Sequence, residues 1–247
     1  MSHMSRKPFI KIIFVCFLSL LLCGGILGHA SAAGAKGDAE RLKALEAEVK
    51  TLKARVQILE DTEEIYKLQR IYGYYLDNEL YDQIVDLFAD QTESVEIGAR
   101  GVYKGKKGAE TLFAKVMGRG NKSRPYGVLR NHMQLQGVVH VDPDGKTAQG
   151  RWRAWIQTGT WEKPETASWG EGTYEMDYVK ENGKWKFKKL LFVPVFYTPF
   201  RDGWTVKSTI GPPASKELPP DAPPTFHESF PSTYYVPYHY KNPVTGR

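Results

Sequence analysis

The chain has 247 residues, 41% hydrophobic and 25% charged, with a formal net charge of +6, a pI near 9.1 and two cysteines. Much of that charge is local: setting aside residues 1–32 lowers Lys plus Arg from 34 to 31 against 28 Asp plus Glu, a net charge of +3. A balance that close to neutral gives no support to nucleic-acid binding.

Residues 1–32 carry the pattern of a secretory signal peptide. Arg6, Lys7 and Lys11 precede an apolar run from Ile12 to Leu27, and Ala30-Ser31-Ala32 supplies the small residues of a cleavage site. The expected location is secreted or periplasmic, with no membrane attachment after cleavage. Both cysteines, Cys16 and Cys23, fall in this segment, so the remaining chain has no thiol, disulfide or thiolate metal ligand.

Residues 33–60 predict a short coiled-coil helix. Leu42, Leu45, Val49, Leu52, Val56 and Leu59 are spaced 3, 4, 3, 4, 3, an a/d seam with charged residues on the other faces. The seam predicts a homodimer or homotrimer. Asp61-Thr62-Glu63-Glu64 reads as the cap of a new amphipathic helix ending near Asp77-Asn78. A short helix follows over Tyr81–Phe88. Ser94–Ile97 and Val102–Gly105 read as short strands, and Gly108–Val116 as a helix.

From Leu129 the chain predicts strand after strand: Leu129–Val141, Thr147–Thr158, Trp169–Lys180 and Lys184–Tyr197. Turns at Asp142–Gly145 and Asn182-Gly183 separate the pairs, and Trp161–Ala167 forms a longer connection. Helices first and antiparallel strands after them mean an α+β fold for residues 61–200, a curved sheet with helices across its concave side and a cone-shaped cavity between. Residues 201–247 hold nine of the fifteen prolines and seven aromatic residues. They predict an extended arm packed on the domain or on a neighbouring subunit, too aromatic for a disordered tail.

The strand Leu129–Gln136 carries the candidate chemistry. Arg130, His132, Gln134 and Gln136 share one parity and so one face; Leu129, Asn131, Met133 and Leu135 share the other. A polar row with a mid-strand histidine reads as a solvent face or as a pocket wall. Other histidines are scattered with no metal-ligand spacing, and no phosphate loop, dinucleotide fingerprint or nucleophile elbow occurs, so neither a metal nor a cofactor is expected.

Tyr72-Gly73-Tyr74-Tyr75-Leu76-Asp77, then Tyr81-Asp82 and Leu87-Phe88-Ala89-Asp90, then Asn131-His132, Gly172-Thr173-Tyr174 and Gly183–Phe187, together resemble the SnoaL-like, scytalone dehydratase-like branch of the nuclear-transport-factor-2-like (NTF2-like) superfamily. The resemblance covers about Thr62 to Pro199. It implies an enzyme whose catalytic residues match Tyr72, Asp77 and His132. Beside them, Arg130 reads as a clamp for an anionic or phenolic group, and Tyr75, Asn131 and Gln134 are expected to bind substrate with it; no cofactor is expected. The dehydratases carry a further titratable residue on the following strand; Gln157 and Thr158 stand there instead. The secreted start and aromatic tail also bring a similarity to bacterial diarylpropane formaldehyde lyases of lignin-dimer breakdown.

His132 titrates near neutrality and is suited to move a proton; Asp77 would orient the imidazole, and Tyr72 would donate to a substrate oxygen. The expected function is a lyase removing water or formaldehyde from a small hydroxylated aromatic. The alternative is a secreted, non-catalytic ligand-binding or assembly module of the same fold.

Overall fold

A computed structural model describes the chain from Phe9 to Arg247. Side chains are described from Lys36 on, so the side chains on which the signal-peptide expectation for residues 1–32 rests lie outside the described residues. Contacts divide the chain into two compact units, Met1–Val56 and Gln57–Arg247.

Helix α1 spans Phe9–Asp77, so the helix expected to start at Asp61 is the continuation of the preceding one. Asp61 is not a cap. It is 1% exposed, accepts hydrogen bonds from Trp185 Nε1 at 3.0 Å and Gln57 Nε2 at 3.2 Å, and pairs with Lys180. The capping signature is local, whereas two of the three partners that hold the carboxylate, Lys180 and Trp185, lie more than a hundred residues away. Within the second unit, Ile65, Leu68, Tyr72 and Leu76 follow at spacings of 3, 4 and 4 and are buried, which makes one apolar stripe against the sheet.

Helix α2 is Tyr81–Asp86, β1 is Ser94–Ile97 and β2 is Val102–Lys104. Helix α3 (Gly105–Glu110) passes into a π-helical turn, Thr111–Met117. Strands β3 (Val128–Val141), β4 (Thr147–Thr160), β5 (Lys163–Glu181) and β6 (Lys184–Pro199) complete a sheet of order β2-β1-β6-β5-β4-β3. The long strands pair antiparallel, and β1 alone lies parallel, against β6. The expected connection Trp161–Ala167 is mostly strand, because β5 starts at Lys163 after a tight turn. The fold is α+β with the helices on one face of a curved sheet. Trp152, Tyr174, Tyr178, Phe187 and Phe192 project from that face into the core.

Alternation along β3 holds from Arg130 to Leu135 and then breaks. Gln136 adopts φ +49, and the register with β4 shifts between Leu135 and Val138. This bulge turns Gln136 out of the polar row: its Oε1 accepts from Arg153 Nε at 2.7 Å, on the face of Leu135.

The segment after Phe200 has no helix or strand, yet it is tied down along its length. Thr209 bridges Tyr197, and Ile210 O accepts the Ala99 amide at 3.1 Å. Leu218 O accepts from Tyr103 Oη at 2.9 Å, and Thr225 Oγ1 donates to Glu96 Oε2 at 2.9 Å. Phe226 and Val236 pack on Val193 in a second, smaller apolar cluster.

Candidate active site

The concave face of the sheet, the second half of α1, the β1–β2 turn and the start of the arm enclose a cavity of about 410 Å³. That size suits a small organic molecule. Tyr72, Arg130 and His132 line it, as the sequence predicts. Tyr81, Arg100, Tyr174, Tyr197 and Lys207 line it too, and sequence reasoning missed all five.

His132 owes its place to strand alternation: Arg130 and His132 face inward opposite Thr158 and Ile156 of β4. The ring is pressed into the wall, where Nδ1 is buried with no hydrogen-bond partner. Burial, joined by the charges of Arg130 and Arg100, pushes the imidazole pKa down to about 3. The ring is therefore neutral at physiological pH.

Asp77 does not reach that ring. Its Oδ1 accepts the backbone amide of His132 at 2.6 Å, and Asp77 lines a second, smaller depression that His132 also borders, with Arg70, Gly73, Asn131 and Met133. Burial raises the Asp77 pKa, opposed by that amide and by the Arg124 charge. The expected carboxylate–imidazole contact is thus replaced by a carboxylate–backbone contact. The close approach that permits it comes from Gly73, one turn earlier, where a Cβ would stand 3.0 Å from the His132 carbonyl oxygen and 2.9 Å from Gln134 Cγ.

Three further expected substrate-binding residues lie off the cavity. Tyr75 packs against the core. Asn131 faces the opposite side of β3, donating from Nδ2 to Gln157 Oε1 at 2.9 Å. Gln134 faces inward but is engaged beneath the cavity, where its Oε1 accepts from Gln69 Nε2 at 2.8 Å. Gln69 in turn accepts from Tyr178 Oη at 3.0 Å, and Tyr178 from Trp152 Nε1 at 2.8 Å. This buried chain satisfies polar groups that would otherwise be costly in the core, and it fixes the floor of the site.

The tyrosines are neutral donors. Burial pushes the phenols of Tyr72, Tyr81, Tyr174 and Tyr197 above their usual range. Tyr72 Oη and Tyr174 Oη lie 3.4 Å apart. Arg130 is held by Glu79, Nε to Oε1 at 2.6 Å. Glu79 is 4% exposed and sits at φ +54 just past the end of α1, a conformation that side-chain-bearing residues seldom adopt.

Arg100 differs from Arg130 in making no ion pair among the described residues. It ends a short 3-10 turn, Gly98–Arg100, clamped by the arm. Gly98 has φ +57, and a Cβ there would stand 2.4 Å from Ile210 O, so the arm can dock only on a glycine. That docking brings Lys207, Thr209, Gly211 and Pro212 to the cavity wall beside Arg100. No periodicity marks a residue in a three-residue turn, so Arg100 has no signature at the level of sequence.

A helix-packed, antiparallel sheet around a polar cavity is now joined by a direct sequence match: a SnoaL-like domain profile fits residues 57–190. The chain belongs to the SnoaL-like domain family. Among solved structures, this SnoaL-like chain is similar in fold to a scytalone-dehydratase-like protein of Novosphingobium aromaticivorans. The two are 17% identical, with a TM-score of 0.50, over 64% of this chain and 98% of that one. LinA is similar at 18% identity and a TM-score of 0.50, over 65% of this chain and 99% of its own. At such identities the likeness establishes the fold alone. No curated protein matches the chain.

Proposed function

We propose that the protein is a cofactor-independent lyase that removes water, or water and formaldehyde, from a small hydroxylated aromatic. The observation that carries this reading is His132: a neutral imidazole in the wall of a cavity that also holds four tyrosines and Arg100, which makes no ion pair among the described residues. Leaving the buried Nδ1 unpaired costs free energy, and the proton is taken at the other ring nitrogen, Nε2, which has no hydrogen-bond partner among the described residues.

The residues divide the work as follows. Arg100, with Arg130 behind it, binds a phenolate or carboxylate oxygen of the substrate. An anion there also offsets the two charges that depress the His132 pKa, so substrate binding itself makes the imidazole a better base. In dehydration, His132 takes a proton from carbon and the C–H electrons form the new C=C bond. The neighbouring C–O bond breaks, and the departing hydroxyl takes a proton from a tyrosine or from the imidazolium to leave as water. In the second route His132 takes the hydroxymethyl O–H proton, the C–C bond breaks to release formaldehyde, and the electrons form the C=C bond as the benzylic hydroxyl leaves as water. A phenol on the substrate favours either route by donating electrons toward the benzylic carbon. Neither needs an external oxidant or reductant.

Tyr72 and Tyr174 are the donors set deepest; Asp77 is a positioning residue that holds the His132 backbone. The secreted or periplasmic location read from residues 1–32 belongs to this proposal. The test is mass spectrometry of purified protein incubated with phenols bearing benzylic hydroxyl and hydroxymethyl groups, with and without chelator. Loss of about 18 mass units, or of about 48 for water plus formaldehyde, unaffected by chelator, supports the reading. Turnover abolished by chelator, or tight binding without turnover across the panel, overturns it.

A further inference from the structure

We propose that Leu42–Leu59 of α1 forms a parallel, in-register, two-stranded coiled coil with a second copy of this chain. The six seam residues, Leu42, Leu45, Val49, Leu52, Val56 and Leu59, are between 48 and 69% exposed on the single chain, and all sit on one face of a helix already formed. An apolar stripe of this regularity, left in water, is what a partner helix covers.

The flanking charges say which partner. With Leu42, Val49 and Val56 at a and Leu45, Leu52 and Leu59 at d, the g positions are Arg41, Glu48 and Arg55. The e positions are Glu46, Lys53 and Glu60. In a parallel pair each g residue faces the e residue five positions on in the other strand. Arg41 then meets Glu46 of the partner subunit, Glu48 meets Lys53 of the partner subunit, and Arg55 meets Glu60 of the partner subunit. All three contacts are attractive, and symmetry repeats each of them.

The alternatives fail on the same residues. An antiparallel pair sets g against g and e against e. Centred on this seam, Arg41 would face Arg55, Glu48 its own copy, Glu46 Glu60, and Lys53 its own copy, so every contact is repulsive. A parallel pair slipped by one heptad sets Arg41 against Lys53 and Glu48 against Glu60, again repulsive. The charge pattern therefore selects a second copy of the same helix, its direction and its register.

The seam also chooses the number of strands. Valine at two of three a positions with leucine at every d position favours two strands over three. The seam is too short to form a stable helix alone. It continues as the same helix as far as Asp77, so the cost of helix nucleation is not charged to association.

The experiment uses the full chain and measures mass in solution by light scattering. The unaltered protein should give twice the 28.0 kDa chain mass. Reversing the e charges together, Glu46→Lys, Lys53→Glu and Glu60→Lys, should halve it. Reversing the g charges, Arg41→Glu, Glu48→Lys and Arg55→Glu, should do the same. Mixing the two variants should restore the doubled mass, which also shows that both are folded. A further variant, Leu45→Cys with Cys16 and Cys23 replaced by serine and native charges kept, should form an interchain disulfide on mild oxidation. In the centred antiparallel arrangement position 45 faces position 56, and no such link forms. A single-chain or triple-chain mass for the unaltered protein, an unchanged mass after reversal of the e charges, or no disulfide at position 45 overturns the proposal.

Discussion

Asp77 holds His132 by its backbone: the carboxylate accepts the main-chain amide at 2.6 Å and makes no hydrogen bond to the imidazole, whose Nδ1 has no partner. The two residues belong to one structural unit without forming a carboxylate–imidazole pair. Asp77→Asn keeps an acceptor oxygen, so it should reduce kcat less than about tenfold, the lower edge of what losing an acid–base group costs being about a hundredfold. Asp77→Ala leaves the amide unpaired and should cost about 1–3 kcal/mol of stability. Steady-state kinetics and urea melts of the two variants check this. A loss of kcat in Asp77→Asn as large as that of removing His132 would show the carboxylate acting on the ring after all.

Gly73 makes that contact possible. A methyl group at 73 would meet the His132 carbonyl oxygen at 3.0 Å, so Gly73→Ala should push α1 away from β3, with overpacking costing about 1–3 kcal/mol. The variant should show a lower melting temperature and weaker ligand binding together. Unchanged melting would mean that helix and strand have slack at this point.

His132 makes stability depend on pH in a defined direction. Its folded pKa is about 3, below the value near 6.5 expected unfolded. Between those values the unfolded chain binds a proton that the folded chain does not. Its contribution is fully present above about pH 6.5 and is lost as the pH falls toward about 3, by up to about 1.4 kcal/mol per pH unit. His132→Gln removes this term, so the stability gap between wild type and variant should shift against wild type as pH falls from 6.5 to 4. Urea melts across that range read it; a gap independent of pH would contradict the buried, neutral imidazole.

Arg100 is the cation in the cavity with no ion-pair partner among the described residues. Arg100→Met should weaken binding of a phenolate or carboxylate ligand about 10- to 100-fold, the loss expected for a hydrogen bond to a charged group. It should also raise the His132 pKa by removing one of the charges that depress it. Titration calorimetry with an aromatic acid measures the first effect. Unchanged affinity would move the anion site to Arg130 or Lys207.

The part of the site that local sequence rules govern was readable. Arg130 and His132 fell on one face because strand side chains alternate, and the alternation lasts until the bulge at Gln136. What depended on long-range packing was not. Asp61 looked like a helix cap because its neighbours fit the pattern, while Trp185 and Lys180 lay out of sight on β5 and β6. Arg100 and Lys207 meet only because β1 inserts beside β6 and the arm docks on Gly98. Tyr75 and Asn131 were drawn in by their neighbours in sequence, and both point elsewhere.

In the proposed reaction His132 moves the proton. The direct measurement is kcat for wild type and His132→Ala on an aromatic substrate that the wild type converts, with circular dichroism confirming that the variant is folded. Proton transfer by His132 predicts a fall of at least about a hundredfold in kcat. A folded His132→Ala protein that keeps near-full turnover would contradict it.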